Sequence, residues 1–193
     1  MNPEGADFYD WWGRHSFLYR LLDGMTSPLR KQGVQQFRED CDIVLDLGCG
    51  TGRSLELIEN RIQGEAIGVD YSEAMIEEAS GNKPNSSGLI RSDARSIPLP
   101  DSSVDGVFMS LALTAMPEPE KVASEVNRVT RKNGTVVVID TTVPRSKLIR
   151  RAYRRIARWN GADVKRILND EFESVETVRE FDMGLGHILK AEN

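Results

Sequence analysis

The chain has 193 residues, with 30 acidic against 25 basic side chains for a formal net charge of -5, and 39% of its residues are hydrophobic. That balance describes one globular domain able to bury its own core, and it argues against disorder and against general nucleic-acid binding. Only Cys41 and Cys49 occur, no apolar run approaches the roughly 18 residues of a membrane span, and Met1 to Asp10 is acidic rather than a signal sequence. A soluble, cytoplasmic protein with reduced thiols is expected.

Residues 1–40 form a lead of their own. Phe8, Tyr9, Trp11, Trp12, Phe17, Tyr19, Leu21 and Leu22 make it aromatic-rich and helical, with a break at Ser27-Pro28. It lies outside the alternating pattern that follows and reads as a cap segment on the ligand side, with the domain proper at 41–193. From Cys41 onward, apolar runs alternate with helical patterns, the mark of βαβ units on a mostly parallel sheet.

Ile43 to Leu47 is the first strand, stopped by glycine. Leu55, Ile58 and Ile62 then share a helix face. Ala66 to Val69 is the second strand, ending at Asp70; Ser72 caps the next helix, with Glu73 in its first turn, to about Ala79. Gly81 to Ser87 is turn chemistry, and Leu89-Ile90 starts a short third strand. Val104 to Leu111 is the fourth strand. Pro117 to Pro119 opens a helix with Val122, Val126 and Val129 on one face and Asn133-Gly134 as its C-cap. Thr135 to Asp140, with three consecutive valines, is a buried strand. A basic amphipathic helix covers Arg145 to Trp159, and Val164, Ile167 and Leu168 continue in helical spacing after Asn160-Gly161. Ser174 to Asp182 and Leu185 to Ala191 read as an antiparallel hairpin at a sheet edge.

The chemistry lies in Val44-Leu45-Asp46-Leu47-Gly48-Cys49-Gly50-Thr51-Gly52, a strand running into a helix through glycines. Ligands of open parallel sheets bind outside the carboxyl ends of the strands, where glycines let the backbone come close. Asp70, at the end of the second strand, stands where a carboxylate accepts ribose hydroxyls. A dinucleotide site wants G-x-G-x-x-G, but here the third position is Arg53 and the spacing is G-x-G-x-G. Asp46 and the lack of a loop lysine also suit a pyrophosphate poorly. The pattern favours a ligand without phosphates.

Asp46-Leu-Gly-Cys-Gly-Thr-Gly52 resembles motif I of class I S-adenosylmethionine-dependent methyltransferases, in particular the ubiquinone/menaquinone-biosynthesis-like group, methyltransferase type 11. Gly68-Val-Asp-Tyr-Ser-Glu-Ala-Met75 resembles the next family motif, and Arg91-Ser-Asp-Ala94 followed by Ile97-Pro-Leu-Pro-Asp-Ser-Ser-Val-Asp105 the third. Glu125 to Gly134 matches the helix and turn before the fifth strand. The resemblance implies a doubly wound, Rossmann-like α/β fold with a seven-stranded sheet in the order 3-2-1-4-5-7-6, its last strand antiparallel. It also implies S-adenosyl-L-methionine as cofactor. Asp46, Gly48, Cys49, Gly50 and Gly52 would lie at the methionine portion, and Asp70 at the ribose. Tyr71 and Met75 would flank the adenine, Asp93 and the Ala94 amide would hold its edge, and Leu111 would approach the methionine end.

Methyl transfer asks a protein chiefly to position the reactants and exclude water, and a base is needed only where the acceptor loses a proton. In many relatives histidines follow the fourth strand; here those places are Thr114 and Ala115. His15 and Asp140 remain as catalytic candidates, and Tyr9, Tyr19 and Thr114 as substrate-side residues. His187 reads as structural, Cys49 as a loop filler, and no metal is called for. The basic run through 145–158 is a solvated face or a weak contact for a membrane or an anion. The expected partner is a small-molecule methyl acceptor, quinone-like or lipid-like. A nicotinamide-dependent oxidoreductase and a non-catalytic cofactor-binding module are the alternatives.

Overall fold

The computed structural model describes residues 26–84, 87–141, 162–181 and 186–193. Seven strands form one sheet in the order β3-β2-β1-β4-β5-β7-β6. They are β1 Ile43–Leu47, β2 Glu65–Asp70, β3 Gly88–Arg91, β4 Val104–Ser110, β5 Thr130–Thr141, β6 Ser174–Phe181 and β7 Gly186–Glu192. The first five run parallel, and β7 is antiparallel to both of its neighbours. The expected strand order and the expected antiparallel last strand are both present. The helices are α1 over residues 26–34, α2 Arg53–Glu59, α3 Glu73–Asn82, α4 Pro119–Val129 and α5 Val164–Glu171.

Alternation along the strands gives the sheet two apolar faces. Leu45, Leu47, Val107, Met109, Val136 and Val138 pack under Val122, Val126 and Val129 of α4 and Val164 and Leu168 of α5. Val44, Phe108, Val137 and Ile139 pack on the other face under Val34 of α1 and Leu55 and Ile58 of α2. Phe37, fully buried, meets Phe108 edge to face with ring centroids 6.3 Å apart. The described end of the lead therefore lies against the sheet. Its Ser27-Pro28 pair lies in the first described turn of α1.

The helix before β5 ends earlier than its sequence signal. Asn133-Gly134 was the expected cap, but α4 stops at Val129 with Thr130 as C-cap, and Thr130 already pairs with Val104. The Thr130 hydroxyl donates to the Val126 carbonyl at 2.6 Å, and the ladder resumes at Thr135 opposite Gly106. Asn133, at φ 63°, turns the excursion between them. Its amide donates to the carbonyl of Asn193 at 2.6 Å, so the chain end satisfies what a capping turn would otherwise satisfy.

The edge where the parallel strands begin is braced by polar side chains. Asp105 accepts the amides of Asp42 and Ile43 at 2.8 and 2.9 Å and the Arg131 guanidinium at 2.6 Å. Burial opposes ionisation of Asp105, yet these donors hold its carboxyl below the ordinary value. Arg128 donates to the carbonyls of Ile97 and Leu99, each at 2.9 Å, and pairs with Glu125 at 2.7 Å. Glu125 in turn accepts the Ile97 amide at 2.8 Å. The β3–β4 connection is thereby fixed to α4.

Candidate active site

The opposite edge, where the parallel strands end, collects the motifs. After β1 the chain turns through Gly48, Gly50 and Gly52, all left-handed at φ 73°, 53° and 78°. The Gly48 and Cys49 amides donate to the Val69 carbonyl at 2.8 and 3.0 Å, so the turn hangs on the end of β2. A Cβ on Gly48 would stand 2.8 Å from the Ala112 Cβ, closer than packing tolerates. Glycine is required there on both counts.

Asp70 closes the turn from the side. One carboxylate oxygen accepts the Gly50 amide at 2.9 Å and the other the Ser72 amide at 2.9 Å. Ser72 caps α3 by accepting the Met75 amide at 3.3 Å, as its place in the sequence indicates. Tyr71 is half-buried, and Met75 is buried in the first turn of that helix.

Asp46 lies beneath the turn, 1% exposed. Among the described residues its Oδ2 has no hydrogen-bond partner, nor has Oγ1 of the buried Thr51 within the turn itself. Burial pushes the Asp46 carboxyl up to about 7; the Arg30 guanidinium works against that rise and the Asp70 carboxylate adds to it. Arg30, reaching in from α1, carries no motif signal in the sequence; only the fold brings it to bear on Asp46. Burial raises the Cys49 thiol well above its ordinary range, with Asp46 and Asp70 adding to the effect.

On the far side of α3, Asp93 is gripped by Arg95, whose Nε and Nη2 donate at 3.0 and 2.7 Å. That contact holds the Asp93 carboxyl below its ordinary value. Arg95 also reaches Glu118, which stands in the left-handed region before α4. Ala94 is buried between these groups in the sequence. The Asp-x-Arg spacing was the readable signal for this pairing.

Leu111 follows β4 in the left-handed region at φ 54° and is 42% exposed, an apolar side chain held at the strand end against both its backbone and its hydropathy. Thr114, in a short 3-10 turn over Leu113–Ala115, meets Asp140. Its amide donates to one carboxylate oxygen of Asp140 at 3.0 Å, and its hydroxyl to the other at 2.5 Å. The structure thus gathers Asp46, Gly48, Cys49, Gly50, Gly52, Asp70 and Tyr71 around one turn, with Leu111, Thr114 and Asp140 at the adjoining strand ends. Tyr9, His15, Tyr19 and the basic run 145–158 lie outside the described residues.

Two acids beside a left-handed glycine turn suit a cationic or neutral ligand and repel phosphates. Comparison with known proteins agrees. Residues 45–138 match the family model described as a methyltransferase domain. The chain is 38% identical over 103 residues to the phosphatidylethanolamine N-methyltransferase of Cereibacter sphaeroides, covering 50% of this chain and 49% of that one. It is 31% identical over 149 residues to the ubiquinone/menaquinone biosynthesis C-methyltransferase of Geobacter sulfurreducens, covering 72% and 58%. The chain therefore spans about half to just under two thirds of the length of such curated relatives. Among solved structures, a chain of the complex between the Haloferax volcanii Trm112 methyltransferase activator and a methyltransferase superposes with TM-score 0.80 at 15% identity, covering 95% of this chain and 96% of that one. A SAM-dependent methyltransferase from Thermotoga maritima gives 0.70 at 20% identity, covering 95% and 97%. At such identities these two likenesses speak to the fold alone. Residues 45–138 form a methyltransferase domain, similar to those of the curated methyltransferases named above.

Proposed function

We propose that the chain transfers a methyl group from S-adenosylmethionine to a small quinone-like or lipid-like acceptor. One observation carries the reading: Asp46 Oδ2, buried and without a partner, lies beside a left-handed glycine turn closed by a second carboxylate, Asp70. A leftover acceptor atom of this kind fits a ligand that brings a cation and donors. When bound, S-adenosylmethionine supplies a methyl group already activated by sulfonium charge.

The chain's own residues then have distinct tasks. Asp46 and the glycine turn would receive the methionine portion, with Asp46 offering charge to its ammonium group. Asp70 would exchange its hold on the turn for the ribose hydroxyls. Tyr71 and Met75 would flank the adenine, while Asp93 and the Ala94 amide would meet its edge. Leu111 would press on the methionine end and exclude water, orientation and dryness being the main contributions to such a displacement. Thr114, with Tyr9 and Tyr19 from a cap formed by residues 1–40, would line the acceptor side. The basic run 145–158 suits contact with a membrane surface or anionic group. A cytoplasmic setting agrees with two free thiols and with the absence, among the described residues, of a helix long and apolar enough to cross a membrane.

Calorimetric titration of S-adenosylmethionine and of NAD tests the reading. Heat is expected from the first alone, and Asp70→Ala should abolish it. Binding of NAD in its place, or an Asp70→Ala isotherm like that of the wild type, would contradict the assignment. Labelled-methyl transfer to demethylmenaquinol and to phosphatidylethanolamine then separates quinone-like from lipid-like acceptors.

A further inference from the structure

One buried titratable group is left unused by the assignments above. His187 is the second residue of β7, and β7 runs antiparallel to β5, so His187 lies at the edge where the parallel strands end. Its Cα partner across the ladder is Asp140, the residue whose carboxylate takes both the amide and the hydroxyl of Thr114. Paired residues of an antiparallel ladder project from the same face, so imidazole, carboxylate and hydroxyl-bearing turn are neighbours. His187 is 6% exposed, and its Nε2 is buried with no hydrogen-bond partner among the described residues. Leaving such an atom unmatched is costly, and a core position at a strand end could hold a leucine instead. The edge order is glycine turn, Leu111, Asp140, His187 on β1, β4, β5 and β7. With strands about 4.8 Å apart, His187 stands roughly 10 Å from Leu111, about the breadth of a small acceptor.

We propose that His187 is the acceptor-side base, receiving on Nε2 the proton that a hydroxyl, amine or hydroquinone acceptor releases as it is methylated. The assignment rests on the methyltransferase reading above. In the step, the acceptor's bond to hydrogen breaks and leaves its electron pair on the acceptor. The acceptor bonds to the methyl carbon, the carbon–sulfur bond breaks with its pair going to sulfur, and the proton ends on the imidazole. Three charged groups act on the ring, Glu180 opposite it on β6 and Asp163 and Lys165 at the start of α5, while Asp140 is its cross-strand neighbour on β5. Burial lowers the imidazole pKa first and Lys165 lowers it further, while Asp163 and Glu180 oppose them. The net effect is a neutral ring near pH 7, the form a base requires.

The test needs no identified acceptor. S-adenosylmethionine and S-adenosylhomocysteine differ by one charged methyl group, so an imidazole facing that methyl must feel the difference. The chain has two histidines, and the spectrum of His187→Gln shows which ring signal belongs to His187. In ring-15N NMR titrations, the His187 midpoint should lie lower in the S-adenosylmethionine complex than in the S-adenosylhomocysteine complex, by about half a pH unit or more. Equal midpoints overturn the proposal, as does a ring that stays neutral until the protein unfolds in acid. His187→Gln should bind both compounds like the wild type; lost cofactor binding in a folded variant would make His187 a cofactor-side residue and also overturn it. If the wild type binds neither compound in the calorimeter, the methyltransferase reading fails first, and the assignment falls with it.

Discussion

The two edges of the sheet differ in how completely their polar side chains are matched. Where the parallel strands begin, Asp105, Glu125 and Arg128 are matched to backbone amides, carbonyls and one another. Where those strands end, Asp46 Oδ2, Thr51 Oγ1 and His187 Nε2 are buried without partners, and Leu111 is exposed in a left-handed backbone. An unmatched buried polar atom costs about 1–3 kcal/mol, so the second edge is destabilised where the first is braced. On the proposed reading, stability and ligand binding occupy separate edges of one sheet, and departures from good packing mark the edge that binds.

The sharpest way to test that contrast is Asp46→Asn. A carboxyl raised to about 7 from an ordinary 3.8 keeps a proton in the folded state that the unfolded chain has already released. Stability therefore falls as pH rises through the window between those values, by on the order of 4 kcal/mol once the window is passed. Denaturant midpoints at pH 5 and pH 8 should show about 2–3 kcal/mol of this fall in the wild type and a much flatter response in Asp46→Asn. The variant should be the more stable of the two at pH 8 while losing most of its affinity for S-adenosylmethionine. A variant less stable than the wild type at pH 8 would break the contrast.

Arg128→Ala attacks the braced edge and should give the reverse pattern. Loss of the contacts to Ile97, Leu99 and Glu125 is expected to cost about 2–3 kcal/mol, read as a lower thermal midpoint, with cofactor affinity unchanged in the folded protein. Gly48→Ala combines a left-handed backbone with a contact to the Ala112 Cβ and should cost about 1–2 kcal/mol in the same assay. Unlike Arg128→Ala, it should also weaken S-adenosylmethionine binding. The smallest effect is expected from Arg95→Leu. Its pair with Asp93 leaves both side chains about a third exposed, so the change in stability should stay below about 1 kcal/mol.

Much of this was legible in the sequence, and unevenly so. The glycine turn, Asp70 and the Ser72 cap were readable because each depends on local spacing, whereas the strand order followed from the resemblance to the methyltransferase family and not from spacing. The end of α4 was misread because Asn133-Gly134 is a strong cap signal; here the turn it makes is completed by Asn193, sixty residues further on in sequence. Arg30 beside Asp46 and Asp140 beside His187 were not readable as pairs, since no periodicity links a helix of the lead to β1 or a middle strand to the last one. His187 reads as structural in the sequence because nothing local links it to Asp140, its partner across the β5–β7 ladder.

Proton release on cofactor binding tests the central claim most directly. Calorimetric titration of S-adenosylmethionine at pH 6, repeated in buffers of different ionisation enthalpy, counts the protons exchanged. Ionisation of Asp46 against an incoming cation predicts release of close to one proton per molecule bound, fading above pH 8. Binding without proton release, or proton uptake, would mean that Asp46 does not meet the cofactor and would contradict the account.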